Sequence, residues 1–66
     1  MAIGRVRWFN ETKGFGFIEN EDGRNIFVNS SAVQGEDPDS LTQGQPVIFD
    51  LIESPTGPLA LNVERI

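Results

Sequence analysis

The chain of 66 residues contains no cysteine and no histidine. Without cysteine there is no disulfide to staple a small fold, and no redox compartment can be inferred. Metal sites built on cysteine or histidine are excluded, as are a histidine general base and a histidine-dependent triad. No apolar run approaches the roughly 20 residues of a membrane span. The opening residues Met1-Ala2-Ile3-Gly4-Arg5 lack the apolar stretch of a secretory signal. A cytoplasmic location, without membrane contact, is therefore expected.

Positive charge is also scarce. Five Lys and Arg stand against ten Asp and Glu, for a net charge of −5. Proteins that bind polyanions usually carry a basic patch, so the balance argues against nucleic acid at first sight. The distribution is less adverse. Residues 1–18 hold Arg5, Arg7 and Lys13 against Glu11, a local charge of +2, whereas residues 19–66 hold Arg24 and Arg65 against nine acids, a local charge of −7. At physiological salt, screening confines these fields to about 8 Å, so a locally positive face can exist on an acidic body.

Carboxylates are plentiful, yet no reaction is legible in them. Glu36-Asp37-Pro38-Asp39 lacks the ligand spacing of a calcium loop and has no nucleophile or base around it. It reads as a solvated acidic loop. Lys13, beside glycine but in a strand context, does not match a phosphate-binding P-loop. The expectation is a protein that is not an enzyme and has no metal, no cofactor and no small-molecule substrate.

What is present is a set of misplaced aromatics. In Lys13-Gly14-Phe15-Gly16-Phe17-Ile18, Phe15 and Phe17 fall on one face of an extended strand and Ile18 on the other. In Asn25-Ile26-Phe27-Val28-Asn29, Ile26 and Val28 share one face and Phe27 the opposite one. A small barrel needs one apolar face per strand. Two neighbouring strands with spare rings suggest an exposed platform, and the natural ligand of such a platform is the face of an unpaired base. Around these segments the pattern is all-β. Strands are expected over 3–10, 15–20, 25–29, 46–54 and 59–66. Asn10-Glu11-Thr12-Lys13-Gly14 and the Asp-Gly pair of Glu21-Asp22-Gly23-Arg24 supply turns. Ser30-Ser31-Ala32-Val33 makes a short helical turn, residues 34–45 a long polar connection, and Ser54-Pro55-Thr56-Gly57-Pro58 a further turn.

Five strands with a long connection after the third suit a single domain, 1–66, folded as a five-stranded antiparallel Greek-key β-barrel of the OB type. A chain this short buries only about 60% of its unfolded surface, so its core is small. The expected core is Val6, Ile18, Ile26, Val28, Val33, Val47, Phe49, Leu51, Leu61 and Val63. Phe15, Phe17 and Phe27 are left over. Strict alternation turns Trp8 inward with Val6 and Phe9 outward with Arg7, and a bend or bulge near the end of the first strand would change this. Either Trp8 or Phe9 joins the platform, and the alternation alone does not decide between them.

At this point the residues resemble a known family. Gly4-Arg5-Val6-Arg7-Trp8-Phe9-Asn10, Lys13-Gly14-Phe15-Gly16-Phe17-Ile18 and Ile26-Phe27-Val28 are closely similar to segments of the bacterial cold-shock proteins. The likeness extends through Ser31-Ala32-Val33-Gln34-Gly35, Leu41-Thr42-Gln43-Gly44-Gln45 and Gly57-Pro58, and spans essentially the whole chain. It implies a five-stranded β-barrel that binds single-stranded RNA and single-stranded DNA and acts as an RNA chaperone, with effects on transcription termination or translation; a monomer is expected. Matched by position, it implies a platform of Trp8, Phe15, Phe17 and Phe27, with Phe9 at its edge and Arg7 and Lys13 facing phosphates. The chain departs from the family pattern at Asn29 and Ser30, where a histidine and a phenylalanine are usual, and at Pro38, where another exposed aromatic is common. Asn29 either meets a base edge or, with Ser30, caps the following turn. The rival reading is an acidic β-barrel adaptor that has diverged toward protein binding.

Overall fold

Alternating β-branched and aromatic residues between glycine-bearing turns produce five strands: β1 (Ala2–Asn10), β2 (Phe15–Asn20), β3 (Asn25–Asn29), β4 (Pro46–Ser54) and β5 (Gly57–Arg65). They are seen in a computed structural model that describes residues 1–34 and 41–66. The acidic segment Glu36-Asp37-Pro38-Asp39 and the departure at Pro38 lie outside the described residues. The strands close into a barrel in the order β1-β2-β3-β5-β4. All ladders are antiparallel except β3–β5, which meets in parallel at Phe27 and Leu59. A 3-10 turn, Ser30–Ala32, follows β3, and a parallel bridge from Val33 to Val63 extends that side of the barrel.

The turns follow from local chemistry. Gly14 adopts φ +78°, its N–H donates to the Asn10 carbonyl, and the Asn10 side-chain oxygen accepts from the Lys13 N–H. In the next hairpin only Gly23 has positive φ, at +86°. The two-residue Asp-Gly turn would require positive φ at Asp22 as well. Asp22 instead accepts from the Arg24 N–H, and the reversal uses the whole stretch 21–24. β5 begins at Gly57, earlier than expected, because the Pro55-Thr56 pair alone makes the last reversal, with Ser54 opposite Gly57.

The core holds Val6, Ile18, Ile26, Val28, Val33, Val47, Phe49 and Val63, as the alternation predicts, together with Ala32, Leu41 and Ala60. Leu51 is partly buried against this cluster. Leu61 corrects the expectation, for it is 42% exposed. Its displacement has a definite cause. β4 advances two residues from Ile48 to Asp50 while β5 advances three, from Glu64 to Leu61. The extra residue allows both Ala60 and Val63 to point inward, which strict alternation forbids, and puts Leu61 outside. Asn62 takes up the bulge at φ +53°, an arrangement asparagine tolerates better than most residues. Its amide donates to Asp50 at 2.8 Å and accepts from Gln34 at 3.0 Å.

Candidate nucleic-acid interface

A second bulge decides the question of the tryptophan. β1 advances two residues, from Val6 to Trp8, while β2 advances one, from Ile18 to Phe17. Val6 points into the core, and Arg7 and Trp8 are consecutively exposed. Trp8 joins the outer face at 41% exposure, while Phe9 is partly buried and packs against the core cluster. Gly16 makes this path possible. A Cβ at Gly16 would run into the Trp8 carbonyl and lie 2.7 Å from the Phe9 Cα and from its ring. Only a residue without a side chain lets the bulged backbone approach so closely.

The result is one continuous aromatic surface. The Trp8 ring centroid lies 5.6 Å from those of Phe15 and Phe17, and Phe27 lies 5.8 Å from Phe15 and from Phe17. Trp8–Phe15 and Phe17–Phe27 meet edge to face, and Phe15–Phe27 is stacked. These are favourable geometries for ring pairs. The rings hold one another in place while remaining partly open to solvent. Three strands supply them: β1 gives Trp8, β2 gives Phe15 and Phe17, and β3 gives Phe27 opposite Phe17. A groove of about 380 Å³ continues the surface past Phe17 and Phe27 toward Asn25, Thr56, Gly57, Pro58 and Leu59. In the sequence pattern, residues 54–66 stand out only as a turn and a strand. The pairing of Phe27 with Leu59 joins residues far apart in sequence, and no local pattern announces it.

The polar positions are equally specific. Asn29 lies opposite Phe15 in the β2–β3 ladder. Its side-chain oxygen accepts from the Ser31 N–H at 3.1 Å and from the Ser31 hydroxyl at 3.3 Å, so it caps the 3-10 turn. Ser30 donates its N–H to the Gly14 carbonyl, tying the end of β3 to the β1–β2 turn. Lys13 is exposed and has no ion pair among the described residues. Arg7 is bonded to Glu19 on β2 at 2.9 Å, and Arg24 to both carboxylate oxygens of Glu53 at 3.1 and 3.2 Å. Hydrogen bonding to Glu53 and its nearby charge raise the Arg24 pKa above its already high ordinary value. Both pairs are substantially exposed, where such contacts add little to stability. Arg5 donates to the Gly44 carbonyl at 3.3 Å.

Nothing in this face suggests bond-making chemistry. Among the described residues, no group of three or more Asp, Glu, His or Cys is placed to hold a metal ion. No helix among them is long and apolar enough to cross a membrane. A second hollow, lined by Ile3, Gly4, Arg5, Glu19 and Pro46 among others, contains no aromatic side chain.

Comparison with known proteins agrees with the barrel. The family model described as the 'Cold-shock' DNA-binding domain matches residues 2–66. The chain is 52% identical over 63 residues to cold shock-like protein CspC of Bacillus cereus, covering 96% of this chain and 97% of that protein. It is 47% identical over 66 residues to cold shock protein CspB of Geobacillus stearothermophilus, with both chains fully covered. Among solved structures, drosophila Unr CSD456 superimposes with a TM-score of 0.81 at 18% identity, over 98% of this chain and 26% of the longer one, a likeness of fold. The chain belongs to the cold-shock domain family. It is a nucleic-acid-binding, cold-shock-like protein and not an enzyme.

Proposed function

We propose that the chain binds single-stranded RNA and DNA by stacking successive bases on Trp8, Phe15, Phe17 and Phe27, and that it acts as an RNA chaperone. The observation that carries this reading is the contiguity of the four rings, each within 5.6–5.8 Å of two others, on one face of the barrel. Each stacked base contributes about 1–3 kcal/mol, and stacking tolerates any base because every base has a π-face. Low sequence specificity follows. Lys13 and Arg7 meet phosphates beside the rings. Asn29 and Ser30 border the platform without extending it by stacking. Phe9 supports Trp8 from the core side.

Chaperoning is a consequence of the same selectivity. A protein that binds unpaired bases and not paired ones shifts RNA toward its open forms by the difference in affinity. Effects on transcription termination or translation would arise in the same way, by holding open a hairpin. The chain acts as a monomer in the cytoplasm. The test is a titration of Trp8 fluorescence with oligothymidine and with an RNA strand of equal length, joined to the opening of a labelled RNA hairpin. Saturable quenching with hairpin opening supports the reading. Absence of both would favour a β-barrel adaptor for protein partners.

A further inference from the structure

We propose that Glu19 and Glu53 serve as internal stand-ins for phosphate, occupying Arg7 and Arg24 in the free protein and thereby setting the affinity and salt dependence of strand binding. The inference rests on the single-strand reading above and assigns a role to two acidic residues that the reading leaves unused.

Two of the cations that adjoin platform or groove residues in sequence are held by carboxylates. Arg7 adjoins Trp8 in sequence and bonds Glu19. Arg24 adjoins Asn25, which lines the groove beside Phe17 and Phe27, and bonds Glu53 through both guanidinium nitrogens. A guanidinium binds carboxylate and phosphate through the same two-pronged geometry. An incoming backbone phosphate must therefore displace a carboxylate from a position already suited to it. The displaced carboxylate stays tethered nearby and repels the phosphate. Both pairs are about half exposed, so they are weak enough to open.

Selectivity follows from this competition. A duplex offers mainly its phosphates, and the two occupied arginines give it little. A single strand also offers base faces, which the carboxylates do not obstruct. Glu19 and Glu53 thus suppress phosphate-driven binding and leave stacking as the admitted route.

The test uses the whole chain, with Glu19→Gln, Glu53→Gln and the double variant titrated with oligothymidine and with a short DNA duplex at several salt concentrations. Each single substitution is expected to tighten oligothymidine binding about two- to fivefold at low salt, the range set by opening an exposed ion pair. The slope of log affinity against log salt should steepen by about 0.7 for each cation released. Duplex binding should rise at least as much, narrowing the preference for single strands. Two controls separate competition from general charge. Glu64→Gln removes an acid on β5 that lies opposite Ile48 and is paired with neither Arg7 nor Arg24, and its gain should stay below about twofold because the field is screened. In an Arg7→Gln background the gain from Glu19→Gln should vanish, as expected for coupled neighbours. Gains equal to that of Glu64→Gln, or a Glu19→Gln gain that persists without Arg7, would overturn the inference while wild-type strand binding remained intact. Failure of the wild type and every variant to bind oligothymidine would remove the single-strand reading, and the inference with it.

Discussion

Trp8 stands directly opposite Phe17 in the β1–β2 ladder, with ring centroids 5.6 Å apart, because β1 gains one residue just before it. Without that bulge strict alternation would turn the tryptophan into the core and Phe9 outward in its place. Gly16, directly across from Phe9, is the residue that permits the bulge. Gly16→Ala is therefore expected to destabilise the fold by about 1–3 kcal/mol, the usual cost of forcing an extra carbon into packed structure. A denaturation midpoint close to wild type, with unchanged Trp8 emission, would show that the bulge does not depend on this glycine.

The platform should separate binding from folding. Phe17→Ala and Phe27→Ala should each weaken oligothymidine binding by about 1–3 kcal/mol. Their effect on stability should be smaller than that of Phe49→Ala, which removes a fully buried ring and falls in the range of about 3–5 kcal/mol. Val28→Ala, also fully buried, provides a second core reference. Binding constants and denaturation midpoints for the four variants test this together. Phe17→Ala unfolding the protein as severely as Phe49→Ala would contradict the surface assignment.

Asn29 and Ser30 test what the missing rings contribute. Asn29→His combined with Ser30→Phe is expected to tighten binding to a thymine-rich strand about tenfold, or roughly 1.4 kcal/mol. It should also lower stability by about 1 kcal/mol, since the Asn29 oxygen that caps the 3-10 turn is lost. Ser30→Phe alone keeps that cap and isolates the binding effect. An unchanged dissociation constant in both variants would place the strand on another path.

Much of this was legible in the chain because it depends on alternation. Phe15, Phe17 and Phe27 share outward parity while Ile18, Ile26 and Val28 share inward parity, and neither assignment needs tertiary information. Alternation fails where a bulge adds a residue. Trp8 and Leu61 sit at the two bulges and were the positions that parity left open or placed wrongly. Leu41 and Ala60 show a different limit. Leu41 follows a long polar stretch of sequence whose pattern does not mark it for the core, and Ala60 takes its inward place from the β5 bulge. The ion pairs Arg7–Glu19 and Arg24–Glu53 join neighbours in space that sequence distance conceals.

Salt dependence should be shallow. Lys13 is unpaired among the described residues, and the arginines near the rings exchange one anion for another. With at most two or three phosphates neutralised, the slope for a single strand is no steeper than about −1.4 to −2.1, and repulsion from the acidic body reduces it further. Binding should be weaker than that of a basic protein at low salt and should persist better as salt rises.

The central claim is that stacking on Trp8, Phe15, Phe17 and Phe27 drives binding to unpaired strands. Its most direct measurement is the quenching of Trp8 emission by oligothymidine across a salt series. Saturable quenching, a slope no steeper than about −2, and marked weakening in Phe27→Ala are expected. A slope near −5, equivalent to about seven phosphate contacts, or binding that leaves Trp8 emission unchanged, would contradict it.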